Sequence, residues 1–330
     1  MTLKAATVVD IHAHAVLEGT FGTAGSFGPE LYAEADGTPV FRIGGYHLRG
    51  VRYRGSAFMD PAVRIAAMDR SSIDWQLLSP NPLTYFHYIP PAEAISFCRR
   101  HNDVLAKVVA DFPDRLGAAV ALPMQDIPAA IAELRRGVRE LGMMAAYMGT
   151  NMPHGLDDPA MDAFYEAVVA LNVPLFIHPA PDGIDGPPGS PALKKYELDI
   201  MAGFTAQETV AVATLLFGGV LHRHPELDIC ISHGGGAVAL LWGRLHHAVQ
   251  KRTWAPDHLK RDGAFAEQLG RIWYDVHMHD DRALDLLVER VGTERLVYGT
   301  NFAGWDAPET FVAPICDAPL ADNARRLLRA

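Results

Sequence analysis

Two histidines one residue apart, His12 and His14, close the apolar run Val8-Val9-Asp10-Ile11-His12-Ala13-His14-Ala15. On a strand, residues i and i+2 point to the same side, so both imidazoles face one point. Neutral imidazole is the commonest side-chain metal ligand, and the spacing suits a metal site. Two histidines in a polar loop are the plain alternative. Further histidines at the ends of other apolar runs argue against it: His178 in Phe176-Ile177-His178-Pro179, His233 in Ser232-His233-Gly234, and His277 and His279 after Trp273-Tyr274-Asp275-Val276. Taken singly, each is more simply a hydrogen-bonded core or surface histidine. Together they offer the three imidazoles of a catalytic zinc-type centre, which keeps a position open for water or substrate.

The elements that position these residues repeat along the chain. Apolar runs at 7–15, 75–80, 116–123, 143–149, 173–180, 227–233, 272–278 and 296–302 alternate with helical patterns at 61–70, 91–112, 127–141, 158–171, 196–222, 237–251, 281–291 and 319–329. Asp60-Pro61 has the look of a helix start, with an acidic N-cap and proline in the first position. Eight strands alternating with helices predict one α/β domain over 1–330, a (β/α)8 TIM barrel. A doubly wound open sheet is the alternative, but no G-x-G-x-x-G follows the first strand. Residues 17–58 are Gly-rich, with little periodicity and many aromatic and Arg side chains. They read as a long loop insertion after the first strand, of the kind that serves as a lid.

In such a barrel the chemistry sits at the C-terminal ends of the strands. Those ends carry His12, His14, His178, His233, His277, His279 and Asn301, with Asp306 a few residues on.

Composition bounds the partners. The 330 residues carry a formal net charge of −10, and 49% are hydrophobic, enough for a large core. The acidic balance argues against nucleic acid or an anionic membrane as partner. Three widely spaced cysteines, Cys98, Cys230 and Cys316, suggest a reducing compartment and no disulfide framework. The N-terminal residues do not read as a signal peptide, and no uncharged run has the length of a membrane span. The expectation is a soluble cytoplasmic protein.

At this point the chain resembles the amidohydrolase superfamily, within it the branch of aminocarboxymuconate semialdehyde decarboxylase, resorcylate-type decarboxylases and related hydratases. The resemblance runs from Val8 to Leu328. It is carried by Val9-Asp10-Ile11-His12-Ala13-His14, Asp60-Pro61-Ala62-Val63-Arg64 with Met68-Asp69, Leu122-Pro123-Met124-Gln125, Phe176-Ile177-His178-Pro179, Ser232-His233-Gly234-Gly235-Gly236-Ala237, Trp242-Gly243-Arg244, Tyr298-Gly299-Thr300-Asn301 and Asn323-Ala324-Arg325-Arg326-Leu327. It implies that His12, His14 and His178 are metal ligands. It implies that His233 handles a proton or polarises substrate, and that an arginine of the long loop holds a substrate carboxylate. Arg42, Arg49, Arg52 and Arg54 are available, and spacing to Asp60 favours Arg52 or Arg54; the planar guanidinium suits a bidentate carboxylate. The resemblance further implies one divalent metal, zinc first with manganese, iron or cobalt as alternatives, a small-molecule carboxylic acid substrate, and a homodimer or higher homo-oligomer.

One departure stands out. After the eighth strand the branch carries Gly-Thr-Asp or Gly-Ser-Asp, whereas this chain has Gly299-Thr300-Asn301. A carboxylate there can ligate a metal and accept a proton; an amide offers only a weak oxygen ligand and no acid or base. Asp306 could supply the missing charge if Phe302-Ala303-Gly304-Trp305 turns back, or it could cap a helix beginning at Ala307-Pro308-Glu309. The leading expectation is a metal-dependent decarboxylase of an aromatic or unsaturated, muconate-like acid, with His233 supplying hydrogen bonding or a proton, Asn301 orienting and offering the metal a weak fourth oxygen ligand, and Asp306 assisting. A hydratase or C–C hydrolase of a ring-cleavage product is the second reading. A metal-poor, non-catalytic partner subunit is the third.

Overall fold

A computed structural model describes residues 2–307 and 318–330. The barrel consists of β1 (Val9–Ala15), β5 (Trp75–Pro80), β6 (Leu116–Ala121), β7 (Ala145–Gly149), β8 (Leu175–His178), β9 (Ile229–Ile231), β10 (Trp273–Asp275) and β11 (Leu296–Val297), parallel and hydrogen-bonded in that order. The first and last strands meet. Ile11 N–H donates to Tyr298 O at 3.0 Å, and Phe302 N–H donates to His12 O at 3.1 Å. The result is a nearly closed (β/α)8 barrel, as the alternation of patterns predicts.

Every barrel strand is buried along its whole length, since side chains pack inward and helices cover the outside. The helices are set by local chemistry. Asp60 accepts from Ala62 N and Val63 N ahead of helix Pro61–Arg70, and Asp126 and Asp280 cap Ile127–Arg139 and Asp281–Val291 in the same way. The helical pattern at 196–222 is broken into Leu198–Met201, Gly203–Phe217 and Val220–Arg223. The stretch Lys195–Phe217 is apolar and long enough to cross a membrane by composition alone. Its last helix instead turns Glu208, Ala211, Val212, Leu215 and Leu216 into the protein.

Residues 17–58 depart from the expected loop. They form a three-stranded antiparallel sheet, β2 (Glu30–Ala33), β3 (Pro39–Ile43) and β4 (Tyr46–Arg49), in the order β2-β3-β4. Ile43 pairs with Tyr46 across Gly44-Gly45, with Gly44 at φ +52°, where a tight hairpin favours glycine. Phe41, Ile43 and Tyr53 join Val16, Phe86, Ile89 and Phe97 in a core of their own. The helix start considered at Ala307-Pro308-Glu309 falls largely outside the described residues, as does Cys316.

Candidate metal centre

His12 and His14 project from the inner side of β1, and His178 ends β8. Their ring centroids lie 4.7–5.1 Å apart in all three pairings. One nitrogen from each falls within 4.8 Å of the others. The outward nitrogens are all engaged. His12 Nδ1 is 2.8 Å from Asp275 Oδ2. His14 Nδ1 is 3.0 Å from Pro80 O and 2.9 Å from Ser79 Oγ. His178 Nδ1 is 2.6 Å from Pro179 O and 3.1 Å from the Tyr85 hydroxyl. The three Nε2 atoms are buried and have no hydrogen-bond partner among the described residues.

Each orphaned buried acceptor costs about 1–3 kcal/mol. Three therefore cost roughly 3–9 kcal/mol, comparable with the net stability of a whole domain. The set makes physical sense as a place for a cation, with Nδ1 fixed by outer partners and Nε2 turned inward. Protonation states agree. Burial, reinforced by neighbouring imidazoles, holds His12 and His178 well below the usual range, and burial lowers His14 to about 3. All three are neutral, which is the ligating form.

His233 follows β9 in a turn of unusual backbone. Its own φ is +45°, and Gly234, Gly235 and Gly236 also have positive φ. At Gly236 a Cβ would lie 2.1 Å from Thr205 O, so only glycine fits. The turn puts the ring 5.0 Å from His12 and 5.2 Å from His178. His233 Nδ1 lies 2.7 Å from Oε1 of the fully buried Glu208, which also accepts from Ser232 Oγ. Burial alone would lower the His233 pKa. The charge and hydrogen bond of Glu208, with Asp275 and Asp306 further off, outweigh it and push His233 up to about 9.

Asp306 turns back toward the site. Its Oδ1 accepts from Asn301 Nδ2 at 2.7 Å, and its Oδ2 lies 3.0 Å from His277 Nε2 and 3.3 Å from His279 Nε2. Burial would raise its pKa, but these imidazole and amide bonds hold it well below the carboxylate range. Asn301 thus spends its amide N–H on Asp306. Its backbone is left-handed at φ +48°.

A cavity of about 290 Å³ opens beside the trio, lined by Phe204, His233, His277, Asn301, Trp305 and Asp306 among others. Among the described residues, no arginine lines it. Arg52 and Arg54 are exposed and line a different cavity with Leu31, Tyr32 and Tyr53, and Arg54 pairs with Glu18. Arg42 is bound to Glu30, and Arg49 to Glu34. The structure therefore brings together His12, His14, His178, His233, Asn301 and Asp306 but not the loop arginines.

Sequence reasoning missed Asp275, Glu208, Tyr85 and a buried network beneath β1. In that network Asp10 accepts from Thr300 Oγ1, Thr300 N and Gln76 Nε2, while Arg64 donates to Gln76 Oε1 and to His14 O. Asp275 had a signal, ending β10 two residues before His277. Glu208 is a lone acid in an apolar helix, which also hints at an inward charge.

A (β/α)8 barrel with histidines gathered at its C-terminal face defines a metal-type enzyme scaffold. The chain belongs to the amidohydrolase family, whose sequence profile matches residues 9–329. It is 33% identical over 246 residues to a 2-amino-3-carboxymuconate-6-semialdehyde decarboxylase of Dictyostelium discoideum, covering 74% of this chain and 66% of the relative. It is 33% identical over 263 residues to a gamma-resorcylate decarboxylase of Rhodococcus jostii, covering 73% and 76%. The crystal structure of 2,6-dihydroxybenzoate decarboxylase from Rhizobium superposes with a TM-score of 0.71 at 26% identity, covering 82% of this chain and 89% of that one.

Proposed function

We propose that the protein is a metal-dependent decarboxylase of a small aromatic or unsaturated, muconate-like carboxylic acid. One divalent cation would be held by His12, His14 and His178, zinc first, with manganese, iron or cobalt as alternatives. The observation that carries this reading is the trio of buried Nε2 atoms, partnerless among the described residues, beside an imidazole hydrogen-bonded to a buried carboxylate. The named activities of the two relatives agree with it.

When bound, the cation supplies Lewis-acid polarisation of substrate oxygen atoms. The remaining work falls to the chain. His233, protonated through Glu208, delivers a proton from Nε2 to the carbon that bears the carboxylate. The C–C bond then breaks, its electron pair stays with that carbon, and CO2 leaves. Glu208 balances the imidazolium before transfer and takes no proton itself. Asn301 orients Asp306, whose charge favours the protonated form of His233. Trp305, largely exposed at the mouth, offers a face on which a planar acid stacks.

The same reading places the enzyme in the cytoplasm, which suits the unpaired, buried Cys98 and Cys230. It also makes the protein a homodimer or higher homo-oligomer. Val210 and Leu240 present exposed apolar side chains on two helices that pack together, with Trp254 exposed just beyond the second. Light scattering checks the assembly.

The test is CO2 release from a panel of dihydroxybenzoic, carboxyvanillic and muconic acids, using metal-loaded protein. Release that disappears on chelation supports the proposal. Incorporation of labelled solvent oxygen into product without CO2 would point instead to hydration or C–C hydrolysis.

A further inference from the structure

A second set of ligand-capable atoms lies beside the first. His233, His277 and Asp306 each offer a ligand atom, all within 4.8 Å of one another. They come from the segments that follow three adjacent strands, β9, β10 and β11. Asp306 Oδ2 lies 3.0 Å from His277 Nε2 and 3.3 Å from His279 Nε2. A tetrahedron with metal–ligand bonds of about 2.0–2.1 Å has edges of roughly 3.3–3.4 Å. The Asp306–His277 spacing is close to such an edge, and the His233 atom, within 4.8 Å of both, closes the triad by a side-chain adjustment.

The outer partners point the same way. Asn301 holds Asp306 by Oδ1 and leaves Oδ2 facing the imidazoles. Glu208 holds His233 by Nδ1 and leaves Nε2 free for the cavity. A hydrogen-bonded carboxylate and a carboxylate-backed histidine are typical surroundings for metal ligands. All three side chains line the open cavity, so a cation can enter without unfolding the barrel.

We propose that His233, His277 and Asp306 form a second divalent-cation site, for zinc or a cation of similar borderline softness, separate from His12, His14 and His178. It fills after the first site, because a cation must displace the hydrogen bonds that already engage Asp306 and the proton that His233 carries on Nε2. Filling it takes Nε2 of His233 away from substrate. On the function proposed above, on which this consequence rests, excess cation inhibits the enzyme.

Zinc binding to chelator-stripped full-length protein, followed by equilibrium dialysis and elemental analysis, tests the site. Wild type is expected to take up about two zinc ions per chain in two phases, and His277→Ala about one, keeping only the tighter phase. His178→Ala is expected to lose the tighter phase and keep the weaker. Circular dichroism and thermal melts establish that each variant is folded, and His277→Leu repeats the count if alanine does not fold. Wild type saturating at about one zinc per chain, or His277→Leu still taking up two, overturns the second site. Survival of both phases in His178→Ala overturns the His12–His14–His178 centre instead, so the two failures read differently. Turnover falling at high free zinc in wild type but not in His277→Leu further supports the site.

Discussion

Whether His233 carries a proton at working pH depends on Glu208, a carboxylate with no solvent exposure 2.7 Å from its Nδ1. Glu208 opposes a burial effect that would strip that proton. In Glu208→Gln the burial remains and the opposing charge is gone, so the pKa of His233 falls. The protonated form is present below the pKa and lost as pH rises through it. The alkaline limb of the kcat/KM profile should therefore move to lower pH in the variant. An unchanged limb would mean that His233 is not the acid. Asn301 allows a second residue-scale prediction. Its amide donates to Asp306, and Asn301→Asp would set two carboxylates against each other at that spacing. Turnover should fall by roughly tenfold, equivalent to about 1.4 kcal/mol of barrier. A rise would mark Asn301 as a loss-of-function substitution of the family's usual acid.

At the scale of elements, the turn after β9 aims His233, and it depends on backbone that only glycine accepts. Gly236→Ala would press a Cβ against Thr205 O. The expected cost is about 1–3 kcal/mol of stability. It should appear as a lower melting temperature, together with a loss of activity out of proportion to it because His233 is displaced. Retained turnover in a destabilised variant would separate the turn from the chemistry.

The elements that carry ligands were legible because their signals are local. His12 and His14 share a strand face by simple alternation, and Phe176-Ile177-His178-Pro179 marks a strand end. The sheet within 17–58 was missed, since its strands are short and Val40 and Phe41 are both buried, which breaks the alternation. The Gly44-Gly45 pair was its one readable sign. Asp275, Glu208 and Tyr85 act through partners 263, 25 and 93 residues away. Such pairings exist only once the barrel closes, and spacing along the chain does not encode them.

Across the whole molecule, three neutral imidazoles are buried at the C-terminal face of a nearly closed barrel. In the unfolded chain each titrates near its ordinary value of 6.5, whereas burial lowers it in the folded protein. As pH falls below 6.5 the unfolded state binds more protons, and stability is progressively lost. Urea unfolding of metal-free protein at pH 7.5 and pH 5.5 should show a lower midpoint at the acidic value. Alanine at His178 should weaken that dependence while leaving the protein folded, since one of the three groups is gone.

The central claim is that His12, His14 and His178 hold a catalytic cation. It is tested most directly by elemental analysis of wild type and His178→Ala, purified without added metal or chelator, alongside their CO2 release. The account predicts about one transition metal per wild-type chain, and loss of both metal and turnover in the variant. Metal-free wild-type protein that cannot be reloaded, or full turnover in His178→Ala, would contradict it.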